Sequence, residues 1–280
     1  MLKQKKFPIV FHDDNGVFTN FSFDALSFGR DAFACVLNST EDYLYFGRDK
    51  KFPMVYVEMG TANTTANTLT IQYWNGTAWA SLAGLIDDTK GFTRSGAIQW
   101  DLEQATWTSN AVNSETKYWI RIRPGSNLSA GTTVQGMNII FSDDQDIKGI
   151  YPAVTNYLMT GESTFILRHE SARDDIVQSI RNDGHAKLTL GDGTIENIEP
   201  WDFLQYEEVR RWSTYLVMEN IFSSLQSTED GMYAQKAEEY RSKAAEAKQL
   251  FFLSLDKDDD GTLDETEKTA NFSQARFFRR

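Results

Sequence analysis

The sequence is poor in residues that cross-link or catalyse. Cys35 is its one cysteine, which excludes an intrachain disulfide and any site built from several thiolates of one chain. Its three histidines, His12, His169 and His185, include no His-x-x-x-His pair of the kind that sets two imidazoles on one helix face. Gly-x-Ser-x-Gly elbows, Walker loops and Rossmann glycine fingerprints are missing as well. Basic residues are outnumbered, 28 lysines and arginines against 40 aspartates and glutamates, giving a formal net charge of -12. That balance opposes binding driven by phosphate neutralisation, which needs a basic surface. No apolar run is long enough to span a membrane, and Phe7–Phe11 is too short for a secretion signal. The expectation is a protein that is not secreted, has no membrane contact and is assembled in the cytoplasm. Among so many acids, carboxylate pairs arise by chance, so no glycosidase couple is read from them. The histidines read as ordinary polar residues, and a protein that is not an enzyme is expected.

What is present is material for a core. Hydrophobic residues make up 41% and charged residues 24%, the balance of a folded chain of one to two domains. From about Asp31 to Phe141 the texture has period two: Pro53–Glu58, Thr68–Tyr73, Ala97–Leu102, Tyr118–Arg123 and Thr133–Phe141 alternate, the last with Gly136 as an expected bulge. Trp74-Asn75-Gly76-Thr77, followed by Trp79, is a hairpin signal. In the Tyr118 stretch one face carries Tyr118, Ile120 and Ile122 and the other Trp119, Arg121 and Arg123, as for a strand with one buried and one wetter face. Short strands without intervening helices predict an antiparallel β-sandwich of jelly-roll type. Trp74, Trp79, Trp100, Trp107 and Trp119 fit two roles, packing in the core or rim and stacking on sugar rings. Asn63-Thr64-Thr65 has the form of a glycosylation triplet but means little in a chain without a secretion signal.

An acidic break at Ser142–Asp146, with Gly149 and Pro152 behind it, marks a composition shift, and the expected domains are 1–148 (sheets) and 149–280 (helices). Ser171 is an expected cap for a helix over Ala172–Arg181, and Lys187–Ile195 reads as a small hairpin or a loop. Pro200–Gln226 has helical spacing, and Tyr233, Ala237, Tyr240, Ala244, Ala247 and Phe251 then step by fours and threes down one face of a second helix. The short connection makes the two antiparallel neighbours, and the alanines allow close approach.

The chain's most specific motif follows. In Asp256-Lys257-Asp258-Asp259-Asp260-Gly261-Thr262-Leu263-Asp264-Glu265-Thr266-Glu267 every ligating place of the twelve-position calcium loop is filled. Asp256, Asp258 and Asp260 take the first, third and fifth places, Thr262 offers its carbonyl, Asp264 can hold a water, and Glu267 can close the shell with two oxygens. Gly261 permits the turn. A calcium sensor carries paired loops between good helices. A single EF-hand-like loop at residues 256–267 is better suited to a structural Ca2+ staple that aims the last residues. Phe272, Arg276, Phe277, Phe278, Arg279 and Arg280, within the arm 271–280, are the expected partner-docking residues.

Four features carry a family likeness: Glu199-Pro200-Trp201, the Trp212–Leu225 helix, the alanine-rich helix around Tyr240, and the terminal Asp-x-Asp-x-Asp-Gly loop followed by arginines. Together, over about residues 155–280, they resemble head-to-tail adaptor (neck or connector) proteins of tailed bacteriophages. The first half, with Asp42–Gly47, Tyr73–Gly76, Phe92–Trp100 and Tyr118–Ile122, is similar to sandwich domains of phage virion proteins and of carbohydrate-binding modules. The resemblance implies a structural virion protein that forms a homo-oligomeric ring, usually of twelve subunits, beneath the portal protein. Its channel would continue the DNA path towards another neck or tail protein without reading sequence. The sandwich, which small adaptors lack, would be an outward decoration or an attachment site for fibres or host glycans. The alternative is a carbohydrate-binding module joined to a calcium-stabilised helical domain.

Overall fold

The computed structural model of the chain describes residues 8–101, 106–185, 187–189, 195–203, 206–226 and 231–251. It is a mixed β plus α protein that divides into two units, Met1–Ile139 and Ile140–Arg280.

The first unit holds two antiparallel sheets, an arrangement consistent with a β-sandwich. Strands β1 (Ile9–Asp14) and β2 (Val17–Asn20) form a hairpin over Asn15-Gly16, both at positive φ, and the short helix α1 (Ser22–Ala25) follows. Next come β3 (Phe33–Ala34), β4 (Tyr43–Arg48), β5 (Met54–Thr61) and β6 (Leu69–Trp74), then β7 (Trp79–Ser81), β8 (Ile86–Asp87) and β9 (Gly96–Gln99). Strands β10 (Asn110–Val112), β11 (Glu115–Pro124) and β12 (Thr133–Asn138) complete the unit. One sheet has the order β2-β1-β4-β11-β6-β7, with β10 also paired to β11. The other has the order β3-β12-β5-β9-β8. The expected hairpin forms between β6 and β7, where the Asn75 side chain accepts the N–H groups of Thr77 and Ala78 and Gly76 has φ 98°. The expected irregularity at Gly136 is a register shift of β12 against β5, and a Cβ there would meet the Phe28 ring.

Period two decides what the larger sheet buries. Val10, Leu44, Phe46, Ile71, Tyr73, Ile120 and Ile122 point to one face and are closed to solvent. Asn63 is also buried, its amide donating to the carbonyls of Thr65 and Gly91, so the asparagine side chain of the triplet at 63–65 is spent on holding its own loop.

The second unit is built from α2 (Asp144–Ile150), α3 (Ile166–Ile180), a ribbon of β13 (Lys187–Thr189) and β14 (Ile195–Asn197), α4 (Tyr206–Ser224) and α5 (Gly231–Leu250). The acidic break is the start of α2. Asp143 caps it, accepting from Gln145 and Asp146 while the Asp146 carboxylate takes the Asp143 N–H. Two helix boundaries differ from expectation. Helix α3 begins at Ile166, not Ala172, because the orphan N–H of Phe165 is met by the Asp144 carboxylate of α2, 3.1 Å away, and that of Ile166 by Thr164. Pro200–Asp202 is a separate single turn with its own capping box, and α4 starts only at Tyr206.

The expected stripe on α5 is found. Ala237, Tyr240, Ala244, Ala247 and Phe251 are buried and Tyr233 is half-buried. Ala244, Ala247 and Phe251 pack with Val209, Trp212, Ile176 and Ile180. Ala237 and Tyr240 pack with Val217, Ile221, Phe222 and Phe165. The Phe222 and Tyr240 rings lie parallel at 5.6 Å, a pairing that contributes about 0.5–1.5 kcal/mol beyond its burial.

Candidate functional site

The metal loop 256–267 and the docking arm 271–280 lie outside the described residues. This covers Asp256, Asp258, Asp260, Thr262, Asp264 and Glu267, and likewise Phe272, Arg276, Phe277, Phe278, Arg279 and Arg280. Among the described residues no group of three or more His, Cys, Asp or Glu side chains gathers as a metal site.

The tryptophans separate into two classes. Trp100, Trp107 and Trp119 are buried. Trp100 packs edge-on against Phe52 and Trp107, and Trp107 lies tilted against Phe52, which makes them core residues. Trp74 and Trp79 remain half-buried across the β6–β7 hairpin, their rings 5.6 Å apart.

Trp119 departs from the expected wet face of its strand. It shares that face with Arg121 and Arg123, yet it is closed to solvent. Gly47 lies opposite it on β4, and a Cβ there would run into the indole. The ring therefore lies flat over β4, donating from Nε1 to the Asn110 carbonyl at 2.9 Å, stacked on Phe11 and edge-on to Tyr45. With Phe11, Tyr45 and Val112 it forms a second small core on the side of the sheet away from the main one.

Beside this core the registers assemble an aromatic and cationic site. Arg121 stands opposite Tyr45 on β4 and Gln72 on β6. Its guanidinium lies over the Tyr43 ring at 4.2 Å and over the Trp79 ring at 4.5 Å, and its Nε donates to Gln72 Oε1 at 2.9 Å. Close to two rings, the planar cation gains from both quadrupoles and loses rotamer freedom on folding and not on binding. Burial pushes the Tyr45 phenol above its ordinary pKa, and the adjacent Arg121 pulls it the other way. Arg123 follows on the same face, 3.5 Å from the Tyr43 hydroxyl. Asp13, paired to Tyr43 from β1, spends a carboxylate oxygen on the Gly16 N–H at the turn. Among the described residues, no carboxylate forms a salt bridge with Arg121 or Arg123, whereas Arg168, Arg173, Arg210 and Arg241 all have carboxylate partners. Period two predicted that Arg121 and Arg123 share a face; the rings flanking them come from β4 and β7, whose register no local pattern reveals.

A second polar cluster has the composition of a nucleophilic triad. Ser142 Oγ lies 2.9 Å from His169 Nδ1 and 2.7 Å from Ser213 Oγ, and Asp144 Oδ1 lies 3.3 Å from His169 Nε2. Ser142, His169 and Ser213 are all buried, and the Ser142 hydroxyl is engaged on both sides, so a substrate carbonyl has no approach to it. His169 and Ser213 lie on the buried faces of α3 and α4, and the cluster ties the start of α2 to both helices. Its role is architectural.

Comparison of the chain with protein-family models, with curated proteins and with solved structures gives no match.

Proposed function

We propose that this chain is a non-enzymatic structural subunit of a tailed-bacteriophage virion, a head-to-tail adaptor. In this reading the helical unit builds a homo-oligomeric ring, of about twelve subunits by analogy with the adaptors it resembles, between the portal protein and a further neck or tail protein. DNA passes through the channel unread, and the two sheets form a jelly-roll domain carried by the ring. One observation carries the reading: the antiparallel α4–α5 pair, closed by an alanine and aromatic seam, is followed in the sequence by the acidic loop 256–267 and the arginine-bearing tail. Small residues in the seam bring the helices close and make the pair a stiff arm. A Ca2+ staple of EF-hand type at its end would fix the direction in which Phe272, Arg276, Phe277, Phe278, Arg279 and Arg280 leave towards the portal.

Mass photometry and negative-stain microscopy of the full chain, alone and with a portal ring, test this. Closed rings, or a saturable complex with the portal, are expected. A chain that stays monomeric in both settings refutes it. Calcium is tested separately. Addition of about 1 mM Ca2+ to a site of about 10 μM affinity raises stability by about 2.7 kcal/mol, and Glu267→Gln should abolish most of that gain. An unaltered melting curve with and without chelator refutes the staple.

A second reading is favoured by the stack of Tyr43, Arg121 and Trp79: the sheets act as a carbohydrate-binding module for a host or fibre glycan. Glycan-array binding lost on Trp79→Ala supports it, and silence across the array refutes it.

A further inference from the structure

We infer that the face of the larger sheet carrying Arg121 and Arg123 binds a carboxylated saccharide, an acidic polymer of uronic or sialic type. The inference rests on the carbohydrate-binding reading and gives it a substrate class.

Three features point to an anion. The first is the pair of guanidiniums for which no carboxylate partner is found among the described residues, in a chain that contains 40 acids and 28 bases. Arg168, Arg173, Arg210 and Arg241 of the helical unit each have such a partner. The second is that Arg121 is held in place before any ligand arrives, by Gln72 at Nε and by the nearby rings of Tyr43 and Trp79. A guanidinium placed over aromatic rings keeps its N–H donors in its own plane, where a carboxylate oxygen fits. The third is spacing. Arg121 and Arg123 are two residues apart on one strand, about 7 Å, so they offer two anion contacts along one direction and suit a chain with repeated charges better than a single ion.

The surroundings specify a saccharide. Thr70, Gln72 and Ser81 lie on the same face as the arginines, giving hydroxyl and amide groups of the kind that pair with sugar hydroxyls. Trp74 and Trp79 stand half-exposed beside them. The net charge of -12 repels any polyanion alike, so the choice of a saccharide rests on the hydroxyl-pairing groups and the indoles beside the arginines.

The test is biolayer interferometry of the full chain against three polymers: polygalacturonate, the same polymer methyl-esterified, and polyphosphate. Binding to polygalacturonate that weakens with salt, with little binding to the other two, is expected. Arg123→Gln, at a side chain 5.7 Å from the Tyr43 ring centre and so less tightly held than Arg121, should weaken binding about tenfold to a hundredfold with unchanged circular dichroism. Arg121→Gln should weaken it at least as much. Equal binding to the esterified polymer, insensitive to Arg123→Gln, overturns the acidic specificity and leaves the glycan reading standing. Binding to polyphosphate as strong as to polygalacturonate overturns the assignment to a saccharide. Absence of binding to all three overturns this inference, and silence on the glycan array as well would remove the glycan reading beneath it.

Discussion

Replacing Gly47 by alanine tests the account of the second core most directly. The added methyl would stand 2.7 Å from Trp119 Cδ2 and closer still to Cε3 and Cζ3. The ring cannot simply swing away, since it is fully buried, hydrogen-bonded to Asn110 and held by Phe11 and Tyr45. Either the indole leaves its site or β4 and β11 separate. Forcing a methyl into packed space costs about 1–3 kcal/mol, and losing the indole hydrogen bond adds about 1 kcal/mol. The total is about 2–4 kcal/mol, and at about 3–4 °C per kcal/mol for a unit of this size the sheet unit should melt about 6–16 °C lower. Thermal melts followed by near-UV circular dichroism read this, because the signal reports the asymmetric packing of Trp119. Gly131→Ala is the control: a Cβ there meets nothing within 4 Å, and its midpoint should stay level or rise slightly. If G47A melts within about 1 °C of the parent with the near-UV spectrum intact, the second core does not depend on the close fit of β4 to the indole.

Three further outcomes follow from burial and packing. Burial pushes the Cys35 thiol up to about 12, so Ellman's reagent should leave the native protein unmodified and react only on global unfolding; prompt native-state labelling would contradict this. Ala244→Leu places extra volume in the α4–α5 seam and should destabilise the helical unit by about 1–3 kcal/mol in urea melts; a neutral result would mean the helices do not approach as closely as the buried alanines indicate. Burial raises the Asp146 carboxyl above its ordinary pKa, so the folded state keeps that proton to higher pH than the unfolded chain. Its contribution is therefore present below the unfolded value and lost as pH rises through the folded one. Asp146→Asn should accordingly gain on the parent in urea midpoint as pH rises through the titration of the folded carboxyl, and a pH-independent difference would disprove the assignment.

Local pattern revealed the parts of this fold that are locally determined. Alternation located β5, β6, β9, β11 and β12, the Asn75-Gly76 pair located a hairpin, and the stepping of Ala237, Tyr240, Ala244 and Ala247 gave the buried face of α5. What stayed hidden depends on partners distant in sequence. The start of α3 is set by Asp144, a residue of another helix, so Ser171 was a good cap type in the wrong place. The start of α4 was hidden by Pro200, which suits the first turn of a helix and here opens a turn of its own. β1 escaped because its apolar start, Ile9–Phe11, has no alternation to display, and β2 because it is four residues long and mostly exposed. The Arg121 site was half legible: the alternation put Arg121 and Arg123 on one face, but only the register with β4 and β6 brings Tyr43 and Trp79 to them.

The strand order of the larger sheet also bears on how the chain is made. β4 can pair with β1 as soon as both leave the ribosome, but its other neighbour, β11, comprises residues 115–124 and emerges much later. At 5–20 residues per second that delay is about 4–15 s. Throughout it, the open edge of β4 and its apolar Leu44 and Phe46 have nothing of their own sheet to cover them. This segment is where a nascent-chain chaperone would find its grip, and where overproduction at high temperature should first divert the chain into aggregates.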